Sequence, residues 1–271
     1  MRKPAANAVS SSSFNEEGNR LFQQGRYGEA MVFYRKALDL DRRTENPRDQ
    51  AVTLGNLANV YASAGRVEEA LTCYREVLGL HRKLGNRQVV GVTLVNMGNL
   101  HADRKEWERA KAHYLEAIDL LESAEDVRGL AMLYGNMALV VRDEGDLPSA
   151  AGHFERAVRQ LRRMGDSPEL ARTINGLGKT YRMQGRSEEA LRCCEEALAI
   201  SERLKDDLGT ATAWYNLVAI HEKAGRLDEA VAFLSRVVEV DERYGLPKLK
   251  ENRRRLEGLK QTGEERKHAR S

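Results

Sequence analysis

The sequence predicts an all-α solenoid: six copies of one helix–turn–helix unit, closed by a C-terminal capping helix. Three observations carry this. First, Ala30, Ala70, Ala110, Ala150, Ala190 and Ala230 recur every 40 residues, and five residues before each stand Gly25, Gly65, Lys105, Gly145, Gly185 and Gly225. Second, apolar residues within each period are spaced three and four apart, the spacing of one helix face. Third, the composition favours helix: only 5 prolines in 271 residues, with 31% charged residues interleaved in sign.

The blocks joining glycine to alanine read GRYGEA, GRVEEA, KEWERA, GDLPSA, GRSEEA and GRLDEA. Glycine tolerates positive φ and so ends the first helix of each unit at low cost. Alanine suits a close crossing of two antiparallel helices. Upstream of the glycine, the first helix carries Phe14, Leu54, Leu94, Tyr134, Ile174 and Trp214 at one register. Leu57, Met97, Met137, Leu177 and Leu217 follow three residues on, with Glu17 in the first unit. The next position is small, as Gly18, Ala58, Gly98, Ala138 and Gly178, with Val218 as the exception. Leu21, Tyr61, His101, Val141, Tyr181 and His221 complete the face. Downstream, the second helix carries Tyr34, Tyr74, Tyr114, Phe154, Cys194 and Leu234.

These registers divide 11–245 into repeats at roughly 11–50, 51–90, 91–130, 131–170, 171–210 and 211–245. A solenoid end needs a cap with a polar outer face. Residues 246–261 supply one: Pro247 suits a first helical turn, Leu249, Leu256 and Leu259 share a face, and Arg253 to Arg255 lie largely off it. Residues 1–10 and 262–271 read as disordered arms.

The pattern aromatic-x2-Leu-Gly-x2-Tyr, then Gly, then Ala-x3-aromatic, resembles the tetratricopeptide repeat (TPR) over residues 12–244. The usual TPR unit is about 34 residues and often ends with proline. This one is longer and lacks that proline, so its second helix runs on through segments such as LGLHRKLGN. In this it is similar to the TPR units of kinesin light chains, spindle-orientation adaptors and bacterial signalling proteins. The resemblance implies a right-handed superhelix whose first helices line a concave groove that holds extended peptides.

Non-core positions of the first helices carry Asn19, Asn56, Asn59, Asn96, Asn99, Asn136, Asn175 and Asn216. Asparagine competes with the helix backbone for hydrogen bonds and is a poor interior choice, so its recurrence needs a reason. A carboxamide offers a donor and an acceptor together and can satisfy both groups of a peptide unit. The alternative is a bond to a neighbouring repeat or to water. The ladder lapses at Gly176, and Asn175 lies one residue off register. Specificity falls to charged neighbours: Asp103, Arg142, Asp143, Arg172, Lys179, Arg182, Glu222 and Lys223. Arg172, Lys179 and Arg182 make the fifth unit locally basic and suited to an acidic segment. The first repeat resembles chaperone co-factor TPRs that clamp a C-terminal carboxylate, and Asn19 and Asn56 match their asparagines. The cations they require are replaced by Asn15, Val92 and Asn96, so that ligand is disfavoured.

The remaining features argue against other classes. A net charge of +3, spread along the chain, is not the concentrated basic face of a nucleic-acid binder. No apolar run approaches membrane-spanning length and no signal peptide opens the chain. Cys73, Cys193 and Cys194 form no CxxC and fit a reducing, cytoplasmic setting. His101 and His221 occupy the repeat's tyrosine position and read as packing residues. His113 and His153 read as surface residues, His81 lies near a turn and His268 in the tail. No metal-ligand or phosphate-loop motif occurs, and Glu68–Glu69 and Glu188–Glu189 read as helix-start charges. The arm before the first repeat is too short for the separate helical head of TPR-like phosphatases. The sequence therefore predicts no enzyme and no cofactor or metal. It predicts a protein or peptide partner, with self-association or regulation of a signalling enzyme as alternatives.

Overall fold

A computed structural model describes residues 10–268. Its described residues form thirteen α-helices and no strand. Contacts divide the chain into two compact units, Met1–Gly129 and Leu130–Ser271. The first contains α1 (Ser11–Gln23), α2 (Tyr27–Arg43), α3 (Pro47–Ser63), α4 (Val67–Lys83), α5 (Arg87–Asp103) and α6 (Trp107–Ser123). The second contains most of α7 (Val127–Asp143), then α8 (Leu147–Arg162), α9 (Pro168–Met183), α10 (Ser187–Leu204), α11 (Asp207–Lys223), α12 (Leu227–Tyr244) and α13 (Leu249–His268). Both units are helical-solenoid segments, with each first helix packed on its own second helix: α1 on α2, α3 on α4 and α5 on α6, then α9 on α10 and α11 on α12.

The backbone repeats at half the period read from the sequence. Positive φ occurs at residues 25, 45, 65, 85 and so on, every 20 residues to 245. Glycine fills eight of these twelve positions, and Glu45, Lys105, Glu125 and Lys205 adopt the same conformation without it. Each follows a helix end, and at most of them the same paired bonds recur. At the first, Gly25 N–H donates to the Phe22 carbonyl at 2.9 Å and Arg26 N–H to the Leu21 carbonyl at 3.0 Å, the paired bonds of a Schellman stop. Lys105 keeps the geometry at φ 59°, with Glu106 N–H on the His101 carbonyl at 2.9 Å. The departure of Lys105 from glycine therefore changes the cost of the turn and not its shape.

The turns between repeats move the expected boundaries. First helices start at 47, 87, 127, 168 and 207, three to four residues before the boundaries at 51, 91, 131, 171 and 211. The start signal is the cap, which apolar periodicity does not register: Asn46, Asn86, Ser167 and Asp206 each accept a backbone N–H of the following turn, satisfying donors that the helix leaves open. Among second helices only α8 has such a cap, with Asp146 accepting the Ser149 N–H at 3.1 Å. Arg26, Arg66 and Arg186 make no side-chain cap, but each pairs with the glutamate three residues on, Glu29, Glu69 and Glu189.

Ala30, Ala70, Ala110, Ala150, Ala190 and Ala230 are each 0% exposed. No space remains there for a larger side chain, and overpacking such a site costs about 1–3 kcal/mol. The small position of the first helix faces the second-helix aromatic: a Cβ on Gly18 would meet the Tyr34 ring at 2.6 Å. Exposed ion pairs link successive second helices, Arg42 to Glu76 at 3.1 Å, Arg82 to Glu116 at 2.7 Å and Arg162 to Glu196 at 2.8 Å. Being solvated, each contributes at most about 1 kcal/mol.

The cap departs from expectation in length. Leu256 and Leu259 pack against the last core cluster of Val218, Leu234 and Val237, and buried Asn252 donates to buried Asp241 at 2.7 Å. The helix then continues to His268, past the boundary expected at 261, because Gly263 keeps helical φ there and does not turn the chain as the repeat glycines do. Residues 1–9 and 269–271, which belong to the expected disordered arms, lie outside the described residues; Ser10 caps α1 by accepting from Ser13 N–H.

Candidate binding surface on the first helices

In the unit Met1–Gly129 the asparagines fall into two sets. Asn19, Asn59 and Asn99 each accept a hydrogen bond from the phenol 15 residues ahead: Tyr34 at 2.7 Å, Tyr74 at 2.6 Å and Tyr114 at 2.8 Å. The phenols lie in the core and their carbonyl partners sit at its edge, so these bonds satisfy buried hydroxyls. Burial raises the Tyr74 pKa to about 12 and that of Tyr114 further. In the later repeats the pair disappears as a pair: the same two registers hold Phe154 and Leu139, Cys194 and Lys179, and Leu234 and Ala219. Where the hydroxyl is gone, the asparagine is gone. The first duty of Asn19, Asn59 and Asn99 is inside their own repeat.

The other set bonds outside its own repeat, where a partner stands 41 residues before. Asn56 Nδ2 donates to Asn15 Oδ1 at 3.3 Å, Asn15 to Thr53 at 2.8 Å, and Thr53 to the buried Asp41 carboxylate at 2.7 Å. Asn96, one repeat on, lies beside the Tyr74 phenol and offsets part of the effect of burial there. Both side chains are half-buried, and exposed Val52 stands one turn before Asn56 on the same face.

In the unit Leu130–Ser271, Asn136 is half-buried. Asn216 Nδ2 donates to Asn175 Oδ1 at 3.3 Å. Asn175 is only 3% exposed and its own Nδ2 finds no partner, so the off-register residue is a buried member of the network. Arg172 is exposed and stands 4.0 Å from Glu169. Lys179 lies near Arg182, Arg142 and Lys248. Burial, then repulsion from Arg142 and Arg182, lowers the Lys179 pKa; Asp143 opposes this and Lys248 adds to it. Lys248 was not evident in the sequence because it follows the last inter-repeat turn, where no helix register places it. Beyond this cluster, Glu222 is held by Arg255 from α13.

The remaining candidates resolve as packing. His101 and His221 are buried, and His101 Nδ1 lies 2.7 Å from Glu106. His113 and His153 are half-buried and not surface residues: His113 stacks on His101 at 5.3 Å and His153 on Tyr134 at 6.2 Å. Burial pushes the thiols of Cys73 and Cys193 up to about 11 and that of Cys194 to about 12, away from the reactive range. Among the described residues no cluster of His, Cys, Asp or Glu is arranged to hold a metal ion, and no helix is long and apolar enough to cross a membrane.

Comparison with known proteins agrees with this architecture. No curated protein matches the chain. Among solved structures, BtubC (BKLC) from P. vanneervenii superposes with a TM-score of 0.73 at 19% identity, over 81% of this chain and 92% of that one. A Rap protein complexed with Competence and Sporulation Factor gives 0.67 at 16% identity, over 96% and 77%. Aspartyl phosphate phosphatase F from Bacillus subtilis gives 0.70 at 14% identity, over 93% and 70%. At these identities the likeness is one of fold. The Tetratricopeptide repeat profile matches five overlapping windows, 12–83, 49–123, 89–163, 129–203 and 169–243, and the chain belongs to the tetratricopeptide repeat family.

Proposed function

We propose that this chain is a non-enzymatic adaptor that holds an extended peptide or partner segment against its first helices, in a cytoplasmic, reducing setting. The carrying observation is the second asparagine set. Asn56, Asn96, Asn136 and Asn216 share one register; Asn56 and Asn216 each donate to the asparagine 41 residues before, Asn15 and Asn175, whereas Asn96 keeps the register although Gly55 stands at that place. A residue kept for packing keeps its contact, as Asn19, Asn59 and Asn99 keep their tyrosines. At Asn96 the residue type persists where the partner amide does not, which fits a requirement from outside the chain. A half-buried carboxamide that donates or accepts once retains capacity for a peptide N–H or C=O.

Protein-binding scaffolding is what this repeat family offers, and the Rap protein similar in fold was solved with Competence and Sporulation Factor bound. The test is affinity capture from native lysate, comparing wild type with the Asn56→Ala, Asn96→Ala, Asn136→Ala variant after circular dichroism confirms equal helicity. The adaptor reading expects a protein captured by wild type and lost from the variant. Identical captures, or recovery of this chain alone with both, would assign the asparagines to structure and favour self-association.

A further inference from the structure

Four cations converge on the first-helix face of the unit Leu130–Ser271: Arg142 on α7, Lys179 and Arg182 on α9, and Lys248 ahead of α13. Among the described residues no ion pair neutralises Lys179, Arg182 or Lys248, and Arg142 has only the adjacent Asp143 at a loose 3.9 Å. Lys248 is fixed over the Tyr215 ring at 5.4 Å, and Tyr215 adjoins Asn216, which in turn bonds Asn175. One turn along α9 from Lys179, the Nδ2 of Asn175 is buried without a partner, as is the Nε of Arg182. Other arginines of this chain lie on a carboxylate, among them Arg66 on Glu69 and Arg203 on Asp166. Here four cations and two leftover N–H donors are set against a single nearby carboxylate, Asp143, and burial, then repulsion from Arg142 and Arg182, lowers the Lys179 pKa.

We propose that this face selects a partner segment carrying carboxylates about three residues apart, seated on Arg142, Lys179, Arg182 and Lys248. The spacing follows from geometry. Arg142 and Arg182 occupy the same register one repeat apart. Packed helices lie about 8–10 Å apart, and an extended chain advances about 3.3 Å per residue. The sixth repeat sets the limit of the cluster, because its equivalent residue is Glu222, already held by Arg255. Nucleic acid fits less well: it needs a continuous run of phosphate contacts, whereas Asp143 and Glu222 bracket this patch. The inference rests on the adaptor reading and gives it a partner chemistry.

The test uses the full chain and fluorescence anisotropy with three labelled probes: a ten-residue peptide with glutamate at every third position in an alanine–serine background, its glutamine counterpart, and a twenty-nucleotide single-stranded DNA. The glutamate peptide is expected to bind, the glutamine peptide at least about tenfold more weakly. Lys179→Gln with Arg182→Gln should remove about the same factor, while Arg254→Gln on the exposed side of α13 should leave binding unchanged. Equal binding of both peptides, tighter binding of the DNA, or no effect of the α9 substitutions would overturn the inference. Each of those results leaves the asparagine-dependent capture free to succeed, so the two readings fail separately.

Discussion

Tyr74 donates its phenolic hydrogen to Asn59 Oδ1 at 2.6 Å, and the same bond joins Tyr34 to Asn19 and Tyr114 to Asn99. The chain also contains its own control. In the fourth repeat both polar partners are replaced, by Phe154 and Leu139. Removing one partner of a buried hydrogen bond costs about 1–3 kcal/mol, whereas removing both with similar shape is nearly neutral. Asn59→Leu is therefore expected to destabilise by about 1–2 kcal/mol, and Asn59→Leu with Tyr74→Phe by clearly less. A double-mutant cycle by urea denaturation measures the coupling; additive effects would show that the bond contributes nothing beyond shape.

Lys105 is the second case in which a side chain sits against the repeat's preference. Its φ of 59° lies in the left-handed region, which costs a residue with a Cβ about 1–2 kcal/mol. Glycine removes that cost but loses about 0.5–1 kcal/mol of unfolded-state entropy. Lys105→Gly should therefore stabilise by about 0.5–1 kcal/mol, visible as a higher denaturation midpoint. Lys105→Ala should gain nothing.

Stability should fall in mild acid. Burial lowers the pKa of His81, His113, His153 and His221. The unfolded chain takes up protons near the ordinary histidine value of about 6.5, while the folded chain resists until lower pH. Fewer protons bound in the native state means that stability rises with pH across this window and is lost as pH falls below about 6.5. Carboxylates paired on the surface stay ionised there and do not confound the sign. Urea midpoints at pH 7.5 and 5.5 decide it: the lower pH should give the lower midpoint, and an equal or higher one would contradict the burial of these rings.

The sequence carried the repeat because glycine and alanine at fixed positions answer to backbone geometry and close packing, which admit few substitutes. The inter-repeat turns were less legible. Glu45, Glu125 and Lys205 adopt positive φ without glycine, and the caps Asn46, Asn86 and Asp206 stand outside the apolar pattern, so the boundaries were displaced into the first helices. The asparagines were visible as a set, but their division was not. Only the 15-residue offset to a tyrosine hydroxyl separates those serving the repeat from the rest, and that pairing was available in the sequence as the joint loss of both residues in later repeats. The company of Lys179 was hidden for another reason: Lys248 reaches it from a turn about 70 residues away, a proximity that only the packing of α9, α11 and α13 creates.

The central claim is that the partner lies on the first helices. Photocrosslinking tests it most directly. A photoreactive phenylalanine analogue is placed at Val52, which is 57% exposed one turn before Asn56, and separately at Leu115, which is 59% exposed on the second helix α6. Partner protein is then crosslinked in native lysate and identified from each site. The account predicts a partner adduct at Val52 that is lost with Asn56→Ala and Asn96→Ala, and none at Leu115. An adduct at Leu115 with none at Val52 would place binding on the second helices and contradict the account.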